Sequence, residues 1–236
     1  MKRRHFVRAT GGMLLGSAIS PFTQAQGAVA MPGDTCTPTV RLTAGPYYTL
    51  DSLNRPDIRE DREGVPLQLA FTVVDDFHCT PIPGAYVDVW HADANGVYSG
   101  VLNEFIDNTT MKPGGQILDT RDRPTFLRGH QIADESGRVE FTTIFPGWYS
   151  GRLAHIHVRA LFPGAAQWSA FVTQLFLPPV IEREVWTQHP YQGRGENTIS
   201  LERDLVLRGD QLSLDKLTIP VSSTANGLRG EMILAI

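Results

Sequence analysis

No stretch of this 236-residue chain reads as a comfortable membrane span. Its N-terminal apolar segment, Gly11–Pro21, is short and glycine-rich, whereas a membrane helix needs ~20 apolar residues. Cysteine is scarce: Cys36 and Cys79 are the only two, and neither lies near the histidines at 155 and 157, which argues against a thiolate metal centre. Basic runs are missing beyond the first eight residues. The formal charge is −4, and taking away residues 1–30 removes Lys2, Arg3, Arg4 and Arg8 but no acid, which leaves −8. An acidic chain without basic patches argues against nucleic acid or anionic membrane as partners. Internal repeats and low-complexity tracts are absent, so a repeat architecture is excluded.

What is present is ordinary globular material, 42% hydrophobic and 19% charged, enough to bury one substantial core. Glycine (22) and proline (16) separate short β-branched runs, a distribution that predicts an all-β sandwich with long loops and a few short helical turns. Strands are expected over Pro66–Val74, Ala85–His91, Arg138–Phe145, Leu153–Leu161 and Ala170–Leu177, each with rough alternation. Turn signals at Pro83-Gly84, Asn95-Gly96, Ser136-Gly137 and Pro163-Gly164 divide them. The polar excursion from Ser99 to about Phe126 is expected to be a loop over one end of the sandwich. Short helical turns are expected at Ile181–Trp186 and Ser200–Leu205, with Asn197-Thr198 as a candidate cap for the second.

The first thirty residues stand apart from that fold. Lys2-Arg3-Arg4-His5-Phe6-Val7 carries a twin arginine followed by an apolar residue, then come the weakly apolar stretch and small-residue cleavage sites at Ala28-Val29-Ala30 or near Ala25. This pattern predicts a twin-arginine export signal over 1–30 and one domain over 31–236, in a periplasmic or extracellular protein. In an exported protein two cysteines are most simply a disulfide, here Cys36–Cys79, tying the N-terminal arm to the end of the Leu67–Val74 strand.

Potential chemistry is densest in Tyr149-Ser150-Gly151-Arg152-Leu153-Ala154-His155-Ile156-His157, with a second tyrosine, Tyr98, in an Asn-Gly turn that gives it an exposed look. Strand alternation would project His155 and His157 side by side and turn Ile156 and Val158 into the core. Such a pair serves equally as two half-buried, hydrogen-bonded histidines or as a metal clip. Tyrosine oxygen is a hard, strongly donating ligand, so if a metal is held, the neighbouring phenols favour Fe(III) over zinc. Read from the residues alone, Tyr98 is a tyrosine packing across a hairpin, Arg152 a solvated arginine, His91 and Asp93 hairpin residues, and His78, His130 and His189 ordinary histidines.

Gly45-Pro46-Tyr47-Tyr48, the run from Pro81 through Tyr98 to Gly100, Phe126-Leu127-Arg128-Gly129 and the run from Phe141 to Val158 together resemble the intradiol ring-cleavage dioxygenases, most closely the exported branch related to protocatechuate 3,4-dioxygenase. The likeness spans most of residues 36–205, and the ordered pattern Y…Y-x-x-R-x-x-H-x-H is specific. It implies a mononuclear non-haem Fe(III) held by Tyr98, Tyr149, His155 and His157, with Tyr149 and His157 as the axial pair. It also implies cleavage of a catechol-type aromatic diol by O2 between the two hydroxylated carbons, giving a cis,cis-muconate-type diacid. Tyr149 would leave the metal and accept a substrate proton, and Arg152 would stabilise negative charge developing on the ring. Gly45, Pro46 and Tyr47 match a segment that lines the substrate pocket, and Gln174 matches a glutamine near the iron. A glycine-proline turn and a buried, satisfied amide explain the same residues on packing grounds. The resemblance also raises two assembly modes, a homo-oligomer or a pairing with a related second subunit. The helical dimerisation segment of catechol-type members finds no room before the first strand.

Two rival readings differ in chemistry. An exported zinc hydrolase would use His155, His157 and a carboxylate such as Asp134 or Glu140. A non-catalytic sandwich module would stack Trp148 and Tyr149 on sugars or polyphenols.

Overall fold

Leu67, Leu69, Phe71 and Val73 occupy every second position of strand β1 (Pro66–Val74), and all four are fully buried. Burying one such side chain contributes roughly 1.5–3 kcal/mol, so the period of two sets which face turns inward. The structure, a computed structural model, describes residues 36–50, 52–101, 124–208 and 214–236, all within one compact unit, Pro32–Ile236. The expected export signal and most of the polar excursion, residues 102–123, lie outside the described residues.

The remaining strands are β2 (Tyr86–Trp90), β3 (Arg128–Ile132), β4 (Arg138–Ile144), β5 (His155–Leu161), β6 (Phe171–Phe176), β7 (Val221–Thr224) and β8 (Gly227–Ala235). They form two four-stranded sheets in the orders β4-β1-β8-β7 and β3-β2-β5-β6. Every pairing is antiparallel except β1 with β8, which run parallel. The expected sandwich is therefore present, with its strands starting and ending within two residues of the expected positions. Val87 and Val89 of β2, Ile156, Val158 and Ala160 of β5, and Phe171 and Leu175 of β6 belong to the same buried cluster as the inward residues of β1.

Three strands were not expected. β3 reads Arg-Gly-His-Gln-Ile, too polar to carry an apolar period, and β8 lies in a C-terminal stretch interrupted by Gly230 and Glu231. β8 nevertheless lies between β1 and β7, because a parallel partner comes from anywhere in the chain and leaves no local turn signal. The helical turns shift slightly: α1 spans Pro179–Val185, and the second is a single 3-10 turn, Leu201–Arg203. Asn197 does not cap it. Its Nδ2 donates to the Arg152 carbonyl at 2.9 Å and its Oδ1 accepts from Ile199 N at 3.0 Å.

Cys36 and Cys79 are bonded, with Cα atoms 5.3 Å apart, and pin the N-terminal arm to the turn after β1. A loop of this length stabilises by up to about 4 kcal/mol through restriction of the unfolded chain. Among the described residues no helix is long and apolar enough to cross a membrane.

Glu182 of α1 is only 9% exposed, and burial pushes its carboxyl up to about 8, with Arg183 opposing. The folded protein thus keeps a proton that the unfolded chain loses above the ordinary value of 4.5. This group's contribution is full below that value and is lost as pH rises to about 8. Glu182→Gln is expected to be nearly neutral at about pH 4 and to stabilise by on the order of a few kcal/mol at about pH 9. Urea unfolding at both pH values checks it; the same difference at each would show that the carboxyl is not held protonated.

Candidate active site

The outward face of the β3-β2-β5-β6 sheet should be wet and polar by strand alternation, yet every residue of β5 is buried. Loops cover that face, and they carry the chemistry. Register aligns one row across the sheet, Arg128, Trp90, His157 and Gln174. His155 lies two residues along β5 from His157, while Ile156 and Val158 point inward as expected.

Both tyrosines arrive on turns that meet. Asp93 orders the first turn, its Oδ1 accepting from the amides of Asn95 (2.8 Å) and Val97 (2.9 Å), so it is a hairpin residue as expected. Gly147, two residues before Tyr149, donates its amide to the Asp93 carbonyl at 3.0 Å; a Cβ there would lie 2.4 Å from the carbonyl oxygens of Asp93 and Ala94. Gly96 is the reciprocal contact, at φ 78° with the Trp148 carbonyl 2.3 Å from its missing Cβ. Only glycine permits this approach. Arg194 clamps the junction, donating from Nη1 to the Trp148 carbonyl at 2.6 Å while its guanidinium stacks on the Trp148 ring. Tyr98 is consequently 2% exposed, against the exposed position its turn suggested. Arg128 holds the same loop, donating from Nε to Ser99 Oγ and from Nη2 to the Ser99 carbonyl, each at 2.9 Å.

Tyr98, Tyr149, His155 and His157 are brought together. Tyr98 Oη lies 3.2 Å from His155 Nε2 and 3.0 Å from His157 Nε2; the two Nε2 atoms are 3.2 Å apart, and Tyr149 Oη is 3.3 Å from His155 Nε2. His155 Nδ1 donates to the Leu153 carbonyl at 2.6 Å, which leaves Nε2 as a bare lone pair. One lone pair therefore faces Tyr98 Oη, Tyr149 Oη, His157 Nε2 and Arg152 Nη1 (3.3 Å) and can satisfy only one of them fully. His157 Nδ1 is buried without a protein partner. Burial holds both imidazoles well below their usual range and both phenols above theirs. Neutral imidazole is the ligating form, and a cation bound here would favour phenolate. The donor set suits a hard, highly charged metal ion.

Arg152 is buried rather than solvated. Its Nε donates to both oxygens of Asp204 at 3.0 Å, its Nη2 to Gln174 Oε1, and its Nη1 to Tyr149 Oη at 3.3 Å. Gln174 Nε2 donates to the Thr43 carbonyl at 2.7 Å, so its amide is satisfied on both sides. Through Thr43 it ties the site to the arm carrying Gly45, Pro46 and Tyr47. A Cβ on Gly45 would lie 3.4 Å from His157 Cε1; Tyr47 packs against Tyr98 with ring centroids 4.8 Å apart and planes tilted by 30°, and Pro46 is exposed.

Sequence reasoning missed Asp204 and gave Arg128 no role. Asp204 stands 52 residues from its partner, a separation with no local signature. His91 directly follows β2 and leads into the Asp93 hairpin, as expected, and is fully buried there, bonded to Thr143 Oγ1 (2.7 Å) and the Ala92 carbonyl (2.8 Å). Burial pushes it down to about 4. His78 and His189 are exposed, and His130 is half-buried against Tyr86 and Ser52. Asp134 orders its own turn through Ser136 and Arg138, and Glu140 pairs with Arg138 and Arg229 on the other sheet. Neither supplies the carboxylate a zinc hydrolase would need here. Among the described residues no three His, Cys, Asp or Glu side chains gather into a metal-binding group; phenols complete this cluster. Trp148 is covered by Arg194 and Tyr149 is buried, which removes the stacking platform of a sugar-binding module.

A family model described as Dioxygenase matches residues 44–193, more than half of the chain. The chain is 31% identical over 122 residues to chlorocatechol 1,2-dioxygenase of Rhodococcus opacus, a match covering 44% of this chain and 40% of that protein. It thus spans less than half of that relative's length. Among solved structures, an intradiol ring-cleavage dioxygenase from Tetranychus urticae is 31% identical with a TM-score of 0.72, over 85% of this chain and 94% of that one. The dioxygenase domain of a dioxygenase carbohydrate-binding protein fusion from Streptomyces sp. SirexAA-E is 27% identical with a TM-score of 0.56, over 85% and 98%. Family match, fold and ordered site residues agree: the chain belongs to the intradiol ring-cleavage dioxygenases.

Proposed function

We propose that the protein is an exported non-haem Fe(III) dioxygenase that opens a catechol-type diol between its hydroxylated carbons to a cis,cis-muconate-type diacid. One observation carries this reading: Tyr98 Oη, Tyr149 Oη and His157 Nε2 converge on the lone pair of His155 Nε2 at 3.2–3.3 Å, and Tyr98 Oη lies 3.0 Å from His157 Nε2. When bound, Fe(III) would accept both diol oxygens and draw electron density from the ring, making a ring carbon reactive towards O2.

The chain's residues do the rest. Tyr98, Tyr149, His155 and His157 would hold the metal, and Tyr149 Oη would serve as the base that takes up one substrate proton as the diol binds. Arg152 Nη1, already 3.3 Å from Tyr149 Oη, donates to negative charge gathering on the ring. Gly45, Pro46 and Tyr47 form a wall on which the aromatic ring rests, and Gln174 holds Arg152 beside it. Export by the twin-arginine route belongs to the same reading and rests on Lys2–Val7 and the segment after it.

Purified protein is expected to be reddish, with about one iron per chain, and to convert catechol to a diacid only when O2 is present. Metal analysis, a visible spectrum and product identification test this. Protein that stays colourless and inactive after reconstitution with iron would overturn the reading.

A further inference from the structure

The carboxylate of Asp204 is completely buried, a position that demands compensation. Its Oδ1 accepts from Arg152 Nε at 3.0 Å, Val206 N at 2.9 Å and Leu207 N at 3.3 Å; its Oδ2 accepts from Arg152 Nε at 3.0 Å and Leu153 N at 2.8 Å. The carboxylate is thus fixed to its own turn on one side and to the start of the β5 approach on the other.

We propose that Asp204 is the positioning residue for Arg152, holding its guanidinium so that Nη1 alone faces the reacting groups. The inference rests on the dioxygenase reading above. Three contacts divide the guanidinium: Asp204 takes Nε, Gln174 takes Nη2, and Nη1 is left beside Tyr149 Oη and His155 Nε2. An arginine side chain has many rotamers, and a planar fork held on two edges loses them before substrate arrives. Charge matters equally. An unbalanced guanidinium next to a metal cation would repel it, whereas the Arg152–Asp204 pair is neutral overall and still presents an N–H dipole to developing anionic charge. The same carboxylate reaches His155: Leu153 donates its amide to Asp204 and its carbonyl accepts from His155 Nδ1.

Asp204→Asn keeps the size and one acceptor oxygen while removing the charge. It is expected to retain iron and the visible band, to lower kcat about 10- to 100-fold with KM changed less than about threefold, and to show Arg152 in another rotamer in its crystal structure. In an Arg152→Ala background the same substitution should change kcat less than about threefold, since its effect acts through Arg152. Losses that multiply in the double variant, or an unmoved Arg152 with near-normal kcat, would overturn the proposal. Should Asp204→Asn fail to fold, Asp204→Glu gives the same comparison, because it keeps the charge and displaces it. The crystallographic readout does not depend on turnover: a wild type without iron or ring cleavage sinks the dioxygenase reading, while an Arg152 that stays in place without Asp204 sinks this one.

Discussion

His157→Ala is expected to yield folded protein that binds almost no iron, lacks the visible band and opens no ring. The imidazole stands in mid-strand with its neighbours Ile156 and Val158 locked into the core, so strand and sandwich should persist. What goes is a ligand whose Nε2 lies 3.0 Å from Tyr98 Oη and 3.2 Å from His155 Nε2. The Trp90 ring, stacked on it at 4.8 Å, would lose one face, and truncating a buried ring of this size costs roughly 2–4 kcal/mol. Removal of its unpartnered Nδ1 offsets part of that, since an unsatisfied buried polar atom itself costs about 1–3 kcal/mol. Tyr98→Phe should lose iron and colour in the same way with less effect on folding, since only an oxygen is removed. His130→Ala is the control, a half-buried histidine paired with Ser52, and it should keep both. Iron analysis, visible absorption and thermal melting decide the matter; stoichiometric iron in His157→Ala would remove that residue from the ligand set.

Arg152→Ala is expected to keep iron and colour and to lose about 10²–10³ in turnover, the usual cost of one well-placed charge-stabilising donor. Catechol added without oxygen should still change the spectrum as it binds, and diacid should form slowly once oxygen is admitted. The substitution also strands Asp204 as a buried charge, a loss of roughly 3–5 kcal/mol, so Arg152→Ala with Asp204→Asn should melt higher than Arg152→Ala alone. That pair separates stability from catalysis: melting recovers while turnover stays low. Near-normal turnover in Arg152→Ala would withdraw its catalytic role even with the iron site intact.

The two predictions draw on different kinds of information. His155 and His157 were legible because alternation along a strand is a local rule, and a spacing of two settles which face they share. Arg152 was legible as a neighbour of the cluster, but its burial and orientation were not, since both depend on Asp204 and Gln174 from separate segments. Tyr98 was misjudged as exposed for a related reason. An Asn-Gly turn fixes backbone direction, whereas exposure depends on what packs over it, here the Tyr149 turn meeting it at Gly96 and Gly147.

The sequence by itself determined the sandwich class, five of its strands, the histidine pair and the disulfide partners, because alternation, turn chemistry and the pairing of two cysteines are all short-range or count-based constraints. Only the tertiary structure decided that β8 pairs in parallel with β1, that the polar strand β3 extends the site-bearing sheet, and that the sheet's outward face is closed over by loops. Those outcomes come from contacts between residues far apart in the chain. Their free energy comes from area and partners gained on folding, which no local window of the sequence contains.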